Sequence, residues 1–235
     1  MKIQLFKTPL DDEKIQTILT NMDYSPLLVP SSTPAKVAEI CSDAIKYKIG
    51  RVVALDLFHD DVLNRIAGSN VQLVHGAGDL NNPGECIESS RIALEKGANE
   101  IDMLFRLSWF FDKKYDLLQT HINRLAALAA SYGRIIKVII ETGYLTDEEK
   151  ILASRLSLEA GATFIKTNLG MRPGRANLHD LLLLKDTFGD NIKLKASGSV
   201  ASLEDAWAMW NAGAERFAMR ENLVNQLREI GYNTK

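Results

Sequence analysis

ALEKGANEIDMLF (93–105), LSLEAGATFIKTN (156–168) and MWNAGAERFAMRE (209–221) share one order of events: a helical run, Gly-Ala, then a short apolar run. Gly97, Gly161 and Gly213 stand where a helix closes with a left-handed residue, and the apolar run behind each suits a buried strand. SYGRIIKVIIET (131–142) repeats the pattern around Gly133, and FGDNIKLKAS (188–197) repeats it with a longer turn. Helix starts recur in step: Thr146 to Glu149 offers a capping box, Ser202 to Asp205 a weaker cap, and Ser32-Thr33-Pro34 a cap with an early proline. Working outward gives eight predicted strands, near 24–29, 51–56, 71–75, 99–105, 135–141, 163–168, 192–197 and 215–219, alternating with helices. Such alternation requires a parallel sheet with right-handed crossovers, and eight units in 235 residues predict an α/β fold of the (β/α)8 TIM-barrel class. The rival, an open doubly wound sheet, lacks its G-x-G-x-x-G turn. No Pro- or Ser-rich linker divides the chain, so residues 1–235 are expected to form a single barrel domain with a short N-terminal helical extension.

The composition suits an ordinary globular protein: 46% hydrophobic, 25% charged, net charge -2. Charges of both signs are spread along the chain, which excludes a basic field for nucleic acid or anionic membrane and favours a small-molecule partner. No stretch reaches the roughly 18 to 20 apolar residues of a spanning helix, and MKIQLFKTPLDDEK has no apolar signal core, so a cytoplasmic location is expected. Cys41 and Cys86 are far apart and near no histidine pair, which argues for packing roles and against a disulfide or metal site. No cofactor is expected.

The register of the repeat exposes polar residues in the wrong place. Five residues past the repeat glycines stand Asp102, Lys166 and Ala218, and Lys137 and Lys195 also fall inside strand-like runs. A buried ion costs several kcal/mol unless paired or neutralised, so a barrel interior ordinarily carries Val or Ile there. The plainer reading is a structural ion cluster fixing strand register. Three lysines against one aspartate leave an excess of positive charge, which lowers the cost of a free amine, and a free amine attacks carbonyls. The resulting iminium stabilises a carbanion at the neighbouring carbon, with the aspartate moving protons through a water.

EIDMLF, KVIIETGYLTDEE, GATFIKTNLG and KLKASGSVASLEDAWAMWNAGAERF resemble, in order and spacing, the strand motifs of deoxyribose-phosphate aldolase, a metal-independent class I aldolase. The likeness is strong over about 91–217 and fainter upstream, where MDYSPLLVP (22–30) resembles a first strand that usually reads Asp-His-Thr-Leu-Leu. The resemblance implies a (β/α)8 barrel that reversibly cleaves 2-deoxyribose 5-phosphate to acetaldehyde and glyceraldehyde 3-phosphate. It makes Lys166 the Schiff-base residue, Lys195 the group that lowers its pKa, Asp102 part of a proton relay, and Lys137 and Thr167 supporting residues. The usual Lys-Thr-Ser-Thr-Gly is here Lys166 to Gly170, with Leu169 where a substrate-facing threonine stands. The phosphate loops differ too. Gly-Gly after strand seven becomes Gly198-Ser199, and a serine-rich turn after strand eight becomes Ala218-Met219-Arg220-Glu221. Gly170, Gly198, Ser199, Arg220 and Arg172 are the resulting candidates for phosphate binding. Arg175 shares the loop of Arg172 and reads as a solvated arginine. His59 and His75 read as packing histidines, Trp207 and Trp210 as helix packing. Tyr232 takes no role. Two alternatives stay open: a Schiff-base aldolase acting on a different aldehyde or sugar, and a barrel that binds a sugar phosphate or a protein without turnover. A homodimer is expected.

Overall fold

A computed structural model describes residues 10–77, 82–170, 174–198 and 200–232. Its strands are β1 (Met22–Leu27), β2 (Arg51–Ala54), β3 (Gln72–Ala77), β4 (Glu100–Leu104), β5 (Ile135–Ile139), β6 (Phe164–Lys166), β7 (Leu194–Ala196) and β8 (Ala214–Met219), and they close in sequence order into a parallel barrel. Helices α1 (Asp12–Thr20), α2 (Pro34–Lys46), α3 (His59–Ile66), α4 (Pro83–Lys96), α5 (Leu107–Phe111), α6 (Tyr115–Ser131), α7 (Asp147–Glu159), α8 (Leu178–Phe188), α9 (Leu203–Asn211) and α10 (Asn222–Glu229) surround it. The expected (β/α)8 order is therefore present.

Local chemistry places these elements. Gly97, Gly161 and Gly213 take φ of 110°, 99° and 95°, the left-handed turn that lets each helix hand over to its strand. Thr146 closes a capping box, its hydroxyl accepting from the Glu149 amide at 3.3 Å while Glu149 accepts from the Thr146 amide at 2.9 Å. Thr33 and Ser202 cap α2 and α9. β1 starts two residues earlier than expected because its ladder to β8 begins at Met22, opposite Phe217. Past Leu27 the chain leaves the sheet, and Val29, inside the strand expected at 24–29, is 44% exposed.

Alternation divides each strand between two environments. Ile101, Met103, Ile136, Val138, Ile165 and Leu194 are buried in the apolar layer beneath the helices. Ile136→Ala there removes packed methylenes at a cost of about 2–5 kcal/mol. The other face of the same strands is charged, and it carries the site.

Several expectations concern packing. Leu181 and Leu184 are fully buried, while Leu182 between them is exposed. Cys41 and Cys86 are buried free thiols. Trp207 and Trp210 stack with ring centroids 6.4 Å apart, and Trp210 lies 6.2 Å from Phe217. His75 belongs to β3 itself and meets His59 edge to face at 5.0 Å, both rings buried. Tyr232 docks on α1, its hydroxyl 3.2 Å from Gln16 Oε1. Among the described residues no helix is long and apolar enough to cross a membrane.

Candidate active site

Parallel pairing sets the charged residues side by side. Asp102 on β4 pairs with Lys137 on β5, and Lys166 on β6 with Lys195 on β7. All four are buried to 3% exposure or less. The Asp102 carboxylate joins them: Oδ1 accepts from Lys137 Nζ at 2.8 Å, and Oδ2 accepts from Lys166 Nζ at 2.8 Å and from Lys195 Nζ at 2.7 Å. The structure thus brings together the four residues singled out in the strands.

It also corrects their charge balance. Asp23 on β1 and Glu100 on β4, both buried, belong to the same cluster, and so does Arg51 on β2. Asp23 Oδ2 accepts from Lys195 and, at 3.2 Å, from Lys137. Glu100 lies 2.6 Å from Lys137 Nζ through Oε2 and accepts from Arg51 Nε at 2.9 Å through Oε1. Four cations now face three carboxylates, so the positive excess is one charge and not two. The signals were present in the sequence. Asp23 matches the aspartate of the first-strand run, and Glu100 stands two residues before Asp102, on the same face of a strand.

This balance decides which groups titrate. Burial alone raises the Asp23 carboxyl, but the Lys137 and Lys195 ammoniums bring it down to about 2. Burial opposes ionisation of Asp102 as well, and the three ammoniums hold it well below the carboxylate range. Lys137, despite its burial, is raised by Asp102, Asp23 and Glu100 and stays an ammonium. Lys195 goes the other way: full burial and the charges of Lys137 and Lys166 outweigh Asp102 and Asp23 and push it down to about 8. The resemblance gives Lys195 the task of shifting its neighbour, and in the structure Lys195 is the lysine of the cluster that is brought down, to about 8.

Thr167 is buried between strands, and both roles of its hydroxyl are used by one residue: it donates to the Ser197 carbonyl at 2.8 Å and accepts from the Ser197 amide at 3.0 Å. It ties β6 to β7 and spends its hydroxyl proton within the sheet. Beside these strand ends a cavity of about 310 Å³ opens, lined by Ser25, Leu169, Gly170, Ser197, Gly198, Met219 and Arg220 among others. Its position past the ends of β6, β7 and β8 is where barrels bind phosphate. Gly198 has φ 99°, and a Cβ there stands 2.9 Å from Asn168 Cβ and 3.1 Å from the Gly174 carbonyl, so only glycine fits. Arg220 is exposed at the rim. Glu221, whose charge threatened to repel an anion, turns to α2, where its carboxylate lies 2.9 Å from Lys36 Nζ. Ser25, not singled out from the sequence, lines the cavity and donates to the Met219 carbonyl at 3.1 Å. It replaces the threonine of the usual first-strand run. Arg172 and Ser199 lie outside the described residues, and Arg175 is exposed in its loop.

Among the described residues one group has the make-up of a metal site, Asp147, His179 and Asp180. Lys150 Nζ already occupies it, 2.9 Å from Asp147 and 2.8 Å from Asp180.

No family model matches the chain. Individual relatives do. The deoxyribose-phosphate aldolase of Caldanaerobacter subterraneus subsp. tengcongensis is 35% identical over 209 residues, covering 87% of this chain and 90% of its own length. That of Finegoldia magna is 38% identical over 194 residues, 81% and 90% of the two chains. Among solved structures, the aldolase QR15 superposes with a TM-score of 0.83 at 27% identity, over 91% of this chain and 97% of its own. The tetrameric deoxyribose phosphate aldolase of Aeropyrum pernix has a TM-score of 0.82 at 22% identity over 95% and 99%, and shows the shared fold.

Proposed function

This chain belongs to the deoxyribose-phosphate aldolase family, and we propose that it cleaves and forms 2-deoxyribose 5-phosphate through an imine on Lys166. It is an aldolase, a lyase; the non-catalytic alternative falls with that membership. The observation that carries the assignment of residues is the shared Asp102 oxygen, which accepts from Lys166 and Lys195 at once. In this reading Lys195, which gives up its own proton at about 8, takes the proton of the Lys166 ammonium, Lys166 adds to the carbonyl carbon, and Asp102 remains a carboxylate that orients both amines. Loss of water from the carbinolamine gives the iminium. In cleavage Lys195, neutral again after giving its proton to the departing water, takes the proton of the hydroxyl on the third sugar carbon as the bond between the second and third carbons breaks; the electrons of that bond pass into the iminium to give an enamine, and the phosphorylated aldehyde leaves. Proton return to the enamine carbon and hydrolysis then release acetaldehyde and restore the lysine. Lys137 stays charged and holds the far oxygen of Asp102.

Gly170, Gly198 and Arg220 on the cavity wall serve as the anion subsite, together with Ser199 and Arg172, their near neighbours in sequence. Leu169 and Arg220 favour a second reading, the same imine chemistry on an acceptor whose hydroxyl has no threonine partner. A comparison of acetaldehyde release from 2-deoxyribose 5-phosphate and from free 2-deoxyribose separates the two. A strong preference for the phosphorylated sugar supports the first reading, and equal kcat/KM refutes it. A homodimer in the cytoplasm is the setting we infer, and light scattering of the purified protein tests the dimer.

A further inference from the structure

β5 ends in a backbone conformation that its residue does not favour. Glu141 has φ 55° and ψ 63°, the left-handed region. Lys48 and Lys113, the other non-glycine residues with positive φ among the described ones, are exposed, whereas Glu141 is buried at 8% exposure. A strained, buried carboxylate persists only where surrounding contacts hold it. The contact here is specific: Glu141 Oε1 accepts the Leu169 amide at 2.6 Å. Leu169 and Gly170 form part of the cavity wall just past Lys166. The adjoining links run between the same two segments. Asn168 Nδ2 donates to Thr142 Oγ1 at 3.0 Å, the Gly143 amide donates to Asn168 Oδ1 at 3.3 Å, and the Thr142 amide donates to the Thr167 carbonyl at 3.0 Å. Glu141 alone reaches residue 169, beyond the point where those links stop.

We propose that Glu141 is a positioning residue for the acceptor aldehyde: its carboxylate fixes the Leu169 amide and thereby sets the Leu169–Gly170 wall against which the phosphorylated end of the substrate lies. The proposal rests on the reading of Lys166 as the imine-forming residue. A backbone wall misplaced by about 1 Å weakens orientation without touching the amine. Burial raises the Glu141 carboxyl, opposed by the Leu169 amide and the Lys166 charge, and either protonation state still presents an accepting oxygen to the amide.

Three full-length variants test it. Glu141→Asp suits left-handed backbone better but falls one methylene short of Leu169. In the condensation of acetaldehyde with glyceraldehyde 3-phosphate it raises KM for the phosphorylated aldehyde about tenfold while kcat changes less than about threefold. Glu141→Gln keeps the reach and the accepting oxygen and holds KM near that of the parent. Glu141→Ala loses both and follows Asp; where it fails to fold, the Asp variant decides. Borohydride trapping of acetaldehyde on Lys166 proceeds in all folded variants. Unchanged KM in Glu141→Asp overturns the proposal, and so does a loss of kcat and of trapping together, which makes Glu141 part of the chemistry. Absence of the adduct in the parent protein refutes instead the imine on Lys166.

Discussion

The inner cluster and the rim cavity lie at neighbouring ends of the same strands but are built on opposite plans. Inside, side chains are over-determined: Asp102 accepts from three lysines, and Asp23 and Glu100 bind two of the same cations and Arg51. At the rim, the wall is largely backbone and small residues with one exposed arginine. The difference separates two tasks. Bond making is fixed by a network in which no member moves alone, while recognition rests on loops that exchange side chains without disturbing the amines.

The largest expected effect breaks the inner region at its centre. Lys166→Met removes the nucleophile and lowers turnover of 2-deoxyribose 5-phosphate at least about a thousandfold, while KM-type binding at the rim persists. Next, Lys195→Met costs on the order of a hundredfold or more. In the parent, kcat/KM rises with pH through about 8 as the Lys195 ammonium gives up its proton, and this limb is absent from the variant. A flat parental profile across pH 7 to 9 contradicts that assignment.

Glu100→Gln tests whether the cluster is one unit. It removes one of the two carboxylates, Glu100 and Asp23, that Arg51 and Lys137 share, at a cost of about 3–5 kcal/mol in urea unfolding. A loss under about 1 kcal/mol shows that the lower part of the network is dispensable. At the rim, Arg220→Ala raises KM for the phosphorylated sugar roughly tenfold and leaves the free sugar unaffected. Equal effects on both sugars remove Arg220 from anion recognition.

The last effect lies outside both regions and serves as their control. Burial first, and the neighbouring His59 second, push His75 down to about 4. Its neutral ring therefore adds stability that is full above the ordinary histidine pKa and is lost as pH falls from about 6.5 through 4, by about 3 kcal/mol. Urea unfolding at pH 7 and pH 4.5 measures this, and His75→Leu shrinks it, leaving the part carried by His121 and His59, which burial also pushes down.

How far each region was legible in the sequence follows from the same contrast. Asp102, Lys137, Lys166 and Lys195 stood out because a charge inside an apolar run has few reasons to exist, and the glycine register aligned them. Asp23 was hidden by the Tyr-Ser-Pro that follows it, which blurs the strand pattern, and Arg51 by its place at a strand start. Glu141 was invisible as a site because left-handed backbone at a glutamate leaves no mark in sequence. The rotation of Glu221 to Lys36 depends on how α2 and α10 meet, a tertiary contact that local pattern does not contain. The bounds of β1 missed for a related reason: Val29 looks like strand until the ladder to β8 is known.

The most direct test is reduction with borohydride in the presence of acetaldehyde, followed by peptide mass analysis. An ethyl group on Lys166, abolished by Lys166→Met and retained in Arg220→Ala, is the predicted result; an adduct on Lys195, or one spread over surface lysines, contradicts it.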